Sequence, residues 1–366
     1  MKIAYVNANY KRNHTGGGHV HMGQFIKNAL ALGHEIWVYP GNQYPGAHLI
    51  PTDRIQHIQT LRKMDALYIR LENRSPALLS WSGGLRRLLY GFPLVVWEFN
   101  TLPDELTGHP SLSQVGSGRL SQYSLGCDLG VCVSPALAEI VGQKLAIKRI
   151  ITVPNGSDPD LFKPGVPIVP RLRPFQDKFN VVWIGTIKES WHDLEMLGLA
   201  ASLLWEENCC RDICFHIIGA GLSGFMGNMP PNVFYWGAER YERLPNWLAG
   251  MDVGLSLYKP GKSYFNSPLK LFDYMSSGLA IISTTHPLAE PMLAEIKGGN
   301  LILNYGDHQA LVETLLKLKS NREEVKSLGL ASRKLIIEKY NWHRAVKDTL
   351  DEMQKILLDK GRKTKV

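Results

Sequence analysis

The sequence lacks the features that mark membrane, disulfide-stapled and zinc-binding proteins. It contains no run of about 18 uninterrupted apolar residues, so no membrane span is predicted. Residues 1–10 turn polar too soon for a signal peptide and instead predict a first strand. The 5 cysteines are odd in number and include no C-x-x-C pair, which favours neither a disulfide framework nor a zinc site. We therefore expect a cytoplasmic protein without a bound metal.

Three further sequence patterns are absent, and each absence argues against one class of function. Gly16, Gly17 and Gly18 follow the first strand, but they do not form the G-x-G-x-x-G fingerprint of a dinucleotide site. The basic residues are scattered and not interleaved with aromatic residues, so nucleic acid is not expected as a partner. No pair of carboxylates stands in the context of a glycosidase.

The net charge of +8 suits an anionic partner such as a nucleotide diphosphate, although plain solubility explains it equally well.

What is present points to two α/β domains. A chain of 366 residues is too long for one typical core, and its content of 45% hydrophobic and 20% charged residues is that of a globular protein. Strand and helix patterns alternate along both halves, as in doubly wound folds. Four prolines between residues 164 and 174 predict a linker between the halves.

The most informative stretch covers residues 266–282. We expect Ser267 as the N-cap of a helix, Pro268 as its first residue and Gly278 as its stop. The unpaired N–H groups at such a helix start favour an anion, and a phosphate suits them best. Lys270 gains nothing from the helix dipole in the first turn, so its position makes sense beside a phosphate. The residues alone leave open a plain surface helix with a solvated lysine.

The same stretch resembles a known signature. Residues 267–278 are similar to the donor-binding motif of the retaining glycosyltransferases of family 4, and residues 150–164 resemble the end of the N-terminal domain in those enzymes. The resemblance implies the GT-B fold: two Rossmann-like doubly wound α/β domains that face each other across a cleft, with a C-terminal helix crossing back. It places an acceptor-side domain at 1–165, a nucleotide-sugar-binding domain at 166–340, and the returning helix with a basic, disordered tail at 341–366.

The motif departs from the family at both of its glutamates. Asp273 stands where the family has the glutamate that binds the ribose, and its shorter carboxylate still accepts hydrogen bonds from a sugar hydroxyl. Phe265 stands at the other glutamate and offers no carboxylate to the donor sugar. The resemblance therefore supports the fold more strongly than it supports a particular donor.

The resemblance also implies where a donor binds. The diphosphate is expected against the backbone at Ser267, Pro268 and Leu269. The loop Gly16, Gly17 and Gly18 is expected to face it, and a flexible loop is the alternative. After Gly185 the family has an arginine and a lysine that neutralise the diphosphate; Thr186 stands at the arginine position, and Lys188 or His192 is expected to supply the charge instead. Gly237 and Glu239 match the place where the family holds the nucleotide base.

One residue of the first half matches a site that contacts the transferred sugar. Asn100 stands where the family often has a histidine, and it can hydrogen-bond but cannot shuttle a proton near neutral pH. Glu98 alternates with Asn100 along the strand, so both side chains are expected on one side. Either could instead cap the turn that follows.

These features predict a retaining glycosyltransferase that moves a sugar from a nucleotide diphosphate sugar to a glycan, lipid-linked or other hydroxyl acceptor. Lys270, Asn100 and Lys188 are the expected catalytic residues, in a front-face reaction that needs no metal and no cofactor. Family precedent favours UDP. A sugar-nucleotide 2-epimerase of the same fold and a noncatalytic nucleotide-sugar or glycan-binding protein are the alternatives. Residues 85–90 form a basic, apolar patch, which suits either a half-buried helix or peripheral contact with the inner face of a membrane.

Overall fold

We describe the protein from a computed structural model. The structure describes residues 1–7, 17–39, 43–71, 91–103, 106, 119–187, 189–206, 210–221, 229–261, 265–296 and 301–363. The described chain divides into two compact units. Unit 1 contains residues 1–154, 265–267 and 342–366, and unit 2 contains residues 155–264 and 268–341.

Unit 1 is built on a parallel sheet. Its seven described strands are β1 (Lys2–Asn7), β2 (Glu35–Val38), β3 (His48–Leu49), β4 (Ala66–Leu71), β5 (Leu94–Phe99), β6 (Leu129–Cys132) and β7 (Ile150–Thr152). Their order across the sheet is β3-β2-β1-β4-β5-β6-β7, and every pairing is parallel. Both β4 and β5 are buried along their whole length, as near-continuous apolar runs in parallel sheets require.

The described helices of unit 1 pack around that sheet. They are α1 (Gly17–Ala31), α2 (Arg54–Leu61), α3 (Arg119–Ser124), α4 (Pro135–Lys144) and the last helix of the chain, which is named α11 here (Trp342–Lys363). Helix α11 packs on α1, where Val346, Leu350 and Met353 join the same core as Phe25 and Ile26. The last helix therefore belongs to the unit that begins the chain, as the predicted returning helix requires.

Unit 2 repeats the architecture with a smaller sheet. Its six described strands are β8 (Phe179–Ile184), β9 (Ile213–Ile218), β10 (Val233–Gly237), β11 (Val253–Ser256), β12 (Ala280–Thr284) and β13 (Ile302–Leu303). The order is β10-β9-β8-β11-β12-β13, again with parallel pairing. Its described helices are α5 (Leu194–Glu206), α6 (Leu244–Leu248), α7 (Leu269–Ser276), α8 (Ala289–Ala294), α9 (His308–Ser320) and α10 (Arg322–Glu338).

Two expectations about chain segments were wrong. The proline-rich run 164–174 is not a free linker, because it enters a 3₁₀ helix (Pro170–Phe175) and buries Leu172 in the core of unit 2. Residues 360–363 of the basic tail are not disordered, because they complete α11. Lys360 anchors that end: its ammonium lies 2.9 Å from Asp128 Oδ2 and donates to the Pro93 carbonyl at 2.6 Å.

The described part of the chain contains no helix that is both long enough and apolar enough to cross a bilayer.

Candidate functional site

The carboxyl ends of the unit 2 strands form the candidate site. Strand β8 lies between β9 and β11, so the chain continues to opposite sides of β8. Such a topological switch point is where open parallel sheets bind ligands, outside the carboxyl ends of the strands. Gly185 follows β8 at this place, Tyr258 follows β11 after a short extension, and Lys270 reaches the same place from α7.

Lys270 lies in an aromatic setting. Its Nζ is 4.1 Å from the ring centroid of Trp183 and 5.4 Å from that of Tyr258. The same atom is 3.3 Å from His192 Nε2. Ring faces attract a cation, which favours the charged amine. Burial acts in the opposite direction and holds the pKa of Lys270 well below its usual range. The lysine is not the solvated surface side chain of the alternative interpretation.

His192 holds the lysine from one side. Its Nδ1 is 3.1 Å from the Thr186 carbonyl, which can only accept, so Nδ1 carries the proton and Nε2 accepts from Lys270. This tautomer is assigned from the hydrogen bonds. Burial, with Lys270 as a second cause, lowers the pKa of His192 to about 3. The imidazole is therefore neutral at ordinary pH, so any positive charge on the pair resides on Lys270.

Two glycines keep the strand ends open beside the lysine. A Cβ added to Gly185 would lie 2.8 Å from the Trp183 ring and 3.1 Å from Lys270 Nζ. A Cβ added to Gly219, after β9, would lie 1.7 Å from the Gly185 carbonyl oxygen. Side chains at these positions would displace the backbone or the lysine, so the sequence needs glycine at both.

The start of α7 differs from the expectation. Pro268, and not Ser267, occupies the N-cap position, and the helix has no side-chain cap. Pro268 is extended at φ −73° and ψ 109°, and Leu269 is the first helical residue. Leu271 N already donates to the Pro268 carbonyl at 3.1 Å, and the N–H groups of Leu269 and Lys270 at the helix start have no side-chain cap. Gly278 ends the helix at a φ of +79°, as predicted, because that conformation suits glycine.

Asp273 is buried in α7, one turn after Lys270. Its Oδ1 accepts from Ser157 Oγ at 2.6 Å and from Tyr241 OH at 3.2 Å. Burial is the main cause that raises the pKa of Asp273 to about 8, with Asp158 adding to it. The residue predicted to bind ribose thus joins three segments of unit 2. Its sugar contact stays a prediction.

The expected base-binding edge lies at the end of β10. Gly237 is at φ +81°, and its carbonyl accepts from Gly219 N at 2.8 Å. Glu239 accepts from Trp247 Nε1 at 3.0 Å and from Arg240 N at 2.9 Å. These bonds fix the carboxylate, and a base contact at this edge stays a prediction.

Unit 1 has its own polar cluster at the carboxyl ends of β4 and β5. Asn100 Nδ2 donates to Glu98, so the two side chains share one side as predicted. His21 Nε2 lies 3.1 Å from Glu98 Oε1, and Arg70 Nη1 donates to the Gly18 carbonyl at 3.1 Å. Gly17 and Gly18 were expected in a loop, but they form the first turn of α1.

Several predicted residues lie outside the described part of the chain. They are Gly16, Lys188 and the basic, apolar patch at 85–90. Within the described ranges, no group of three or more His, Cys, Asp or Glu residues is placed to hold a metal ion.

Sequence reasoning missed the side chains that surround the predicted ones. Trp183 and Tyr258 lie in or just after apolar strands, where an aromatic residue looks like ordinary core. Arg70 and His21 carried a weak signal, because each is a charged or titratable residue inside an apolar pattern.

Comparison with known proteins identifies a family match in unit 2 and solved structures of similar fold. Residues 178–321 match the family described as "Glycosyl transferases group 1". The search of curated protein sequences gave no match. HepE from Anabaena, solved in complex with UDP, is 12% identical with a TM-score of 0.73, covering 97% of this chain and 100% of that chain.

Two further solved structures are similar over nearly their whole length. Sucrose-phosphate synthase from Thermosynechococcus elongatus is 14% identical with a TM-score of 0.70, covering 98% of this chain and 99% of that chain. The α,α-trehalose 6-phosphate synthase from Burkholderia multivorans is 10% identical with a TM-score of 0.67, covering 98% and 99%. The two parallel-sheet units thus form a GT-B fold, which confirms the predicted fold class. Within it, residues 178–321 of the second unit match the glycosyl transferases group 1 family.

Proposed function

We propose that the protein is a retaining glycosyltransferase, similar to family 4, that uses a nucleotide diphosphate sugar. The observation that carries the proposal is the position of Lys270. Its ammonium is held between two aromatic rings and a neutral histidine, at the switch point of a parallel sheet and beside an uncapped helix start. That combination of a basic amine and the N–H groups of Leu269 and Lys270 at a helix start suits a diphosphate.

The chemistry follows from the leaving group. As the glycosidic bond breaks, negative charge grows on the nucleotide diphosphate. Preorganised donors stabilise that charge most where water is scarce, and burial makes the site of Lys270 such a place. A diphosphate would in turn raise the pKa of Lys270 from its lowered value, because an anion favours the charged amine.

The sugar is proposed to move on a single face. The acceptor hydroxyl attacks on the side from which the diphosphate departs, and a diphosphate oxygen takes the hydroxyl proton. Asn100 is proposed to contact the transferred sugar, and Asp273 the ribose. Lys270 and the amides at the start of α7 are proposed to stabilise the negative charge that a metal ion would otherwise stabilise. Turnover is therefore expected to continue in the presence of a chelator.

UDP is the proposed nucleotide, and a glycan or lipid-linked hydroxyl is the proposed acceptor. The similarity to HepE, which was solved with UDP, and the family precedent support the nucleotide. A thermal-shift screen of UDP, GDP, ADP and their sugars tests it, since a ligand that binds only the folded form raises the melting temperature. We expect the largest shift with UDP or a UDP-sugar.

Lys270→Met tests the site itself. The change removes the charge with little change in size, and we expect turnover to fall by about 10²- to 10³-fold, as for loss of one charge-stabilising donor. The shift in melting temperature caused by UDP should shrink as well. Lys317→Met, on an exposed lysine of α9 paired with Glu324, is the matched control and should behave like the wild type.

The outcome that counts against the proposal is a Lys270→Met protein with wild-type turnover and UDP binding. Formation of an epimer from a UDP-sugar without any acceptor would instead favour the epimerase alternative.

A further inference from the structure

We infer that Glu98 is a positioning residue, which fixes the orientation of the Asn100 amide at the carboxyl end of β5. The inference rests on the proposed function, in which Asn100 contacts the transferred sugar. It concerns unit 1 alone and assigns a role to a buried carboxylate that the proposed reaction does not otherwise use.

The burial of Glu98 is the first observation. Only 1% of its surface is exposed, whereas Asn100, two residues further on, is partly exposed at the strand end. Side chains two apart on a strand project to the same side. The carboxylate therefore lies beneath the amide. A charged group is costly to bury without partners, so its retention here needs a reason.

The hydrogen bonds supply that reason. Asn100 Nδ2 donates to Glu98 Oε1, and His21 Nε2 lies 3.1 Å from the same oxygen. An ionised carboxylate can only accept, so it selects the NH₂ end of the amide and the N–H tautomer of the imidazole. The two ends of a planar amide lie on opposite sides of its carbon. Fixing the NH₂ end on Glu98 leaves the Asn100 carbonyl oxygen free to turn toward a substrate hydroxyl.

Polar and charged neighbours act against the effect of burial on this carboxyl. Burial raises the pKa of Glu98, and Arg70, directly opposite it in the β4–β5 register, together with hydrogen bonds from Asn100 and Tyr68, opposes that rise without cancelling it. Burial and Arg70 both hold the pKa of His21 well below its usual range. His21 is thus a neutral donor, and the arginine balances the charge of Glu98.

Glutamine at position 98 would no longer determine which end of the Asn100 amide faces it. A glutamine amide can accept from Asn100 through its oxygen or donate to it through its nitrogen. The Asn100 amide could then turn over and present its NH₂ end to the substrate. We therefore expect Glu98→Gln to lower kcat by about 10- to 100-fold, the loss that a small misplacement of a substrate-contacting group causes, with little change in the KM of the donor.

A double-mutant cycle with Asn100→Ala separates this role from a structural one. If Glu98 acts through Asn100, then Glu98→Gln should have no further effect on kcat in the Asn100→Ala protein. Asp128→Asn is the matched control. Asp128 is a buried carboxylate at the opposite, amino end of β6, where it accepts from Val95 N at 3.0 Å. That variant should lose stability and keep its kcat.

The Asn100→Asp variant tests the same role if the Glu98→Gln protein does not fold. It places a second carboxyl against Glu98, with Arg70 and Tyr68 of β4 and His21 of α1 as the other described titratable neighbours. Two facing carboxylates share a proton as the pH falls. The kcat of this variant, relative to wild type, should rise from pH 8 to pH 5 as protonation restores a donor to Glu98.

Three results would overturn the inference. They are a Glu98→Gln protein with unchanged kcat, losses from Glu98→Gln and Asn100→Ala that multiply in the double variant, and an Asn100→Asp protein whose relative kcat does not change with pH. A wild-type protein that transfers no sugar from any tested donor would overturn the proposed function and this inference together. An active wild type with any of the three results overturns the inference alone.

Discussion

Asp273, the proposed ribose contact, makes the stability of the second unit depend on pH. Its carboxyl, in α7, is buried and accepts hydrogen bonds from Ser157 and Tyr241. Burial raises its pKa to about 8, so the folded protein holds this proton over a pH range in which the unfolded chain has released it. Where the folded state binds more protons, stability falls as the pH rises. The contribution of Asp273 is therefore most favourable near pH 4 and is lost by about pH 8.

Asp273→Asn should remove this dependence. The asparagine oxygen can still accept from Ser157 and Tyr241, and no charge forms at high pH. Each unit of pKa shift corresponds to about 1.4 kcal/mol, so we expect the variant to gain a few kcal/mol of unfolding free energy over wild type at pH 8 and little at pH 4. Urea unfolding at the two pH values measures this.

The control for that change is Asp177→Asn, on an exposed carboxylate of the same unit. It should leave the difference between the two pH values as in wild type. The opposite outcome is an Asp273→Asn protein that is destabilised equally at both pH values. It would show that ionisation of Asp273 is not what lowers the stability of the wild type at high pH. If Asp273 also contacts the ribose, UDP binding should weaken in the same variant.

At the residue scale, local features of the sequence predict some of the candidate site. Lys270 and Gly278 could be found because short local sequence patterns mark the start and the end of a helix. The neighbours of Lys270 could not be predicted, because Trp183, His192 and Tyr258 come from separate segments that only the order of the strands brings together. The capping role of Ser267 was predicted wrongly, since Ser and Pro in sequence do not determine which one takes the N-cap position.

At the scale of elements, α10 approaches the chain just after α7 through a pair of glycines, Gly329 and Gly278. A Cβ added to Gly329 would lie 1.9 Å from the Gly278 carbonyl oxygen. Gly329 lies in the middle of α10 and is buried, so this contact sets the distance between the helix and the end of α7. Because α7 carries Lys270, the packing of α10 supports the candidate site.

Gly329→Ala should therefore force the two helices apart. We expect a loss of about 1–3 kcal/mol or more of unfolding free energy, as for overpacking in a core, together with weaker UDP binding. Gly361→Ala is the control, because that glycine also lies in a helix and a Cβ there meets nothing within 4 Å. It should gain about 0.5–1 kcal/mol from helix propensity. Equal stability of the two variants would contradict the close approach.

The strands of the parallel sheets were predictable, whereas short and charged elements were not. Buried runs such as Phe179–Ile184 stand out because both faces of a parallel strand must be apolar. Strands β3 and β13 have two residues each, too few to show any period. The end of α11 was mistaken for a disordered tail, because its charge suggested solvent while Lys360 in fact pairs with Asp128.

At the scale of the whole molecule, the chain builds its first unit from both of its ends. Residues 1–154 supply the seven-stranded sheet, and residues 342–366 return to that unit after the second unit is complete. Leu350 of α11 is 1% exposed and lies in the core that also contains Ile3 and Tyr5 of β1. The stability of the first unit therefore depends on the last helix of the sequence.

Leu350→Ala tests this dependence. Truncating a buried leucine costs about 2–5 kcal/mol, and the loss should fall on the unit in whose core the side chain lies. Hydrogen exchange resolves the two units by segment, so we expect faster exchange in β1, β4 and β5 and unchanged exchange in β8, β9 and β11. Leu358→Ala, at a position of the same helix that is 64% exposed, should change neither set. UDP should still protect the second unit of the Leu350→Ala protein. Faster exchange in β8 and β9, with β1 unaffected, would show that the last helix does not belong to the core in which the structure places it.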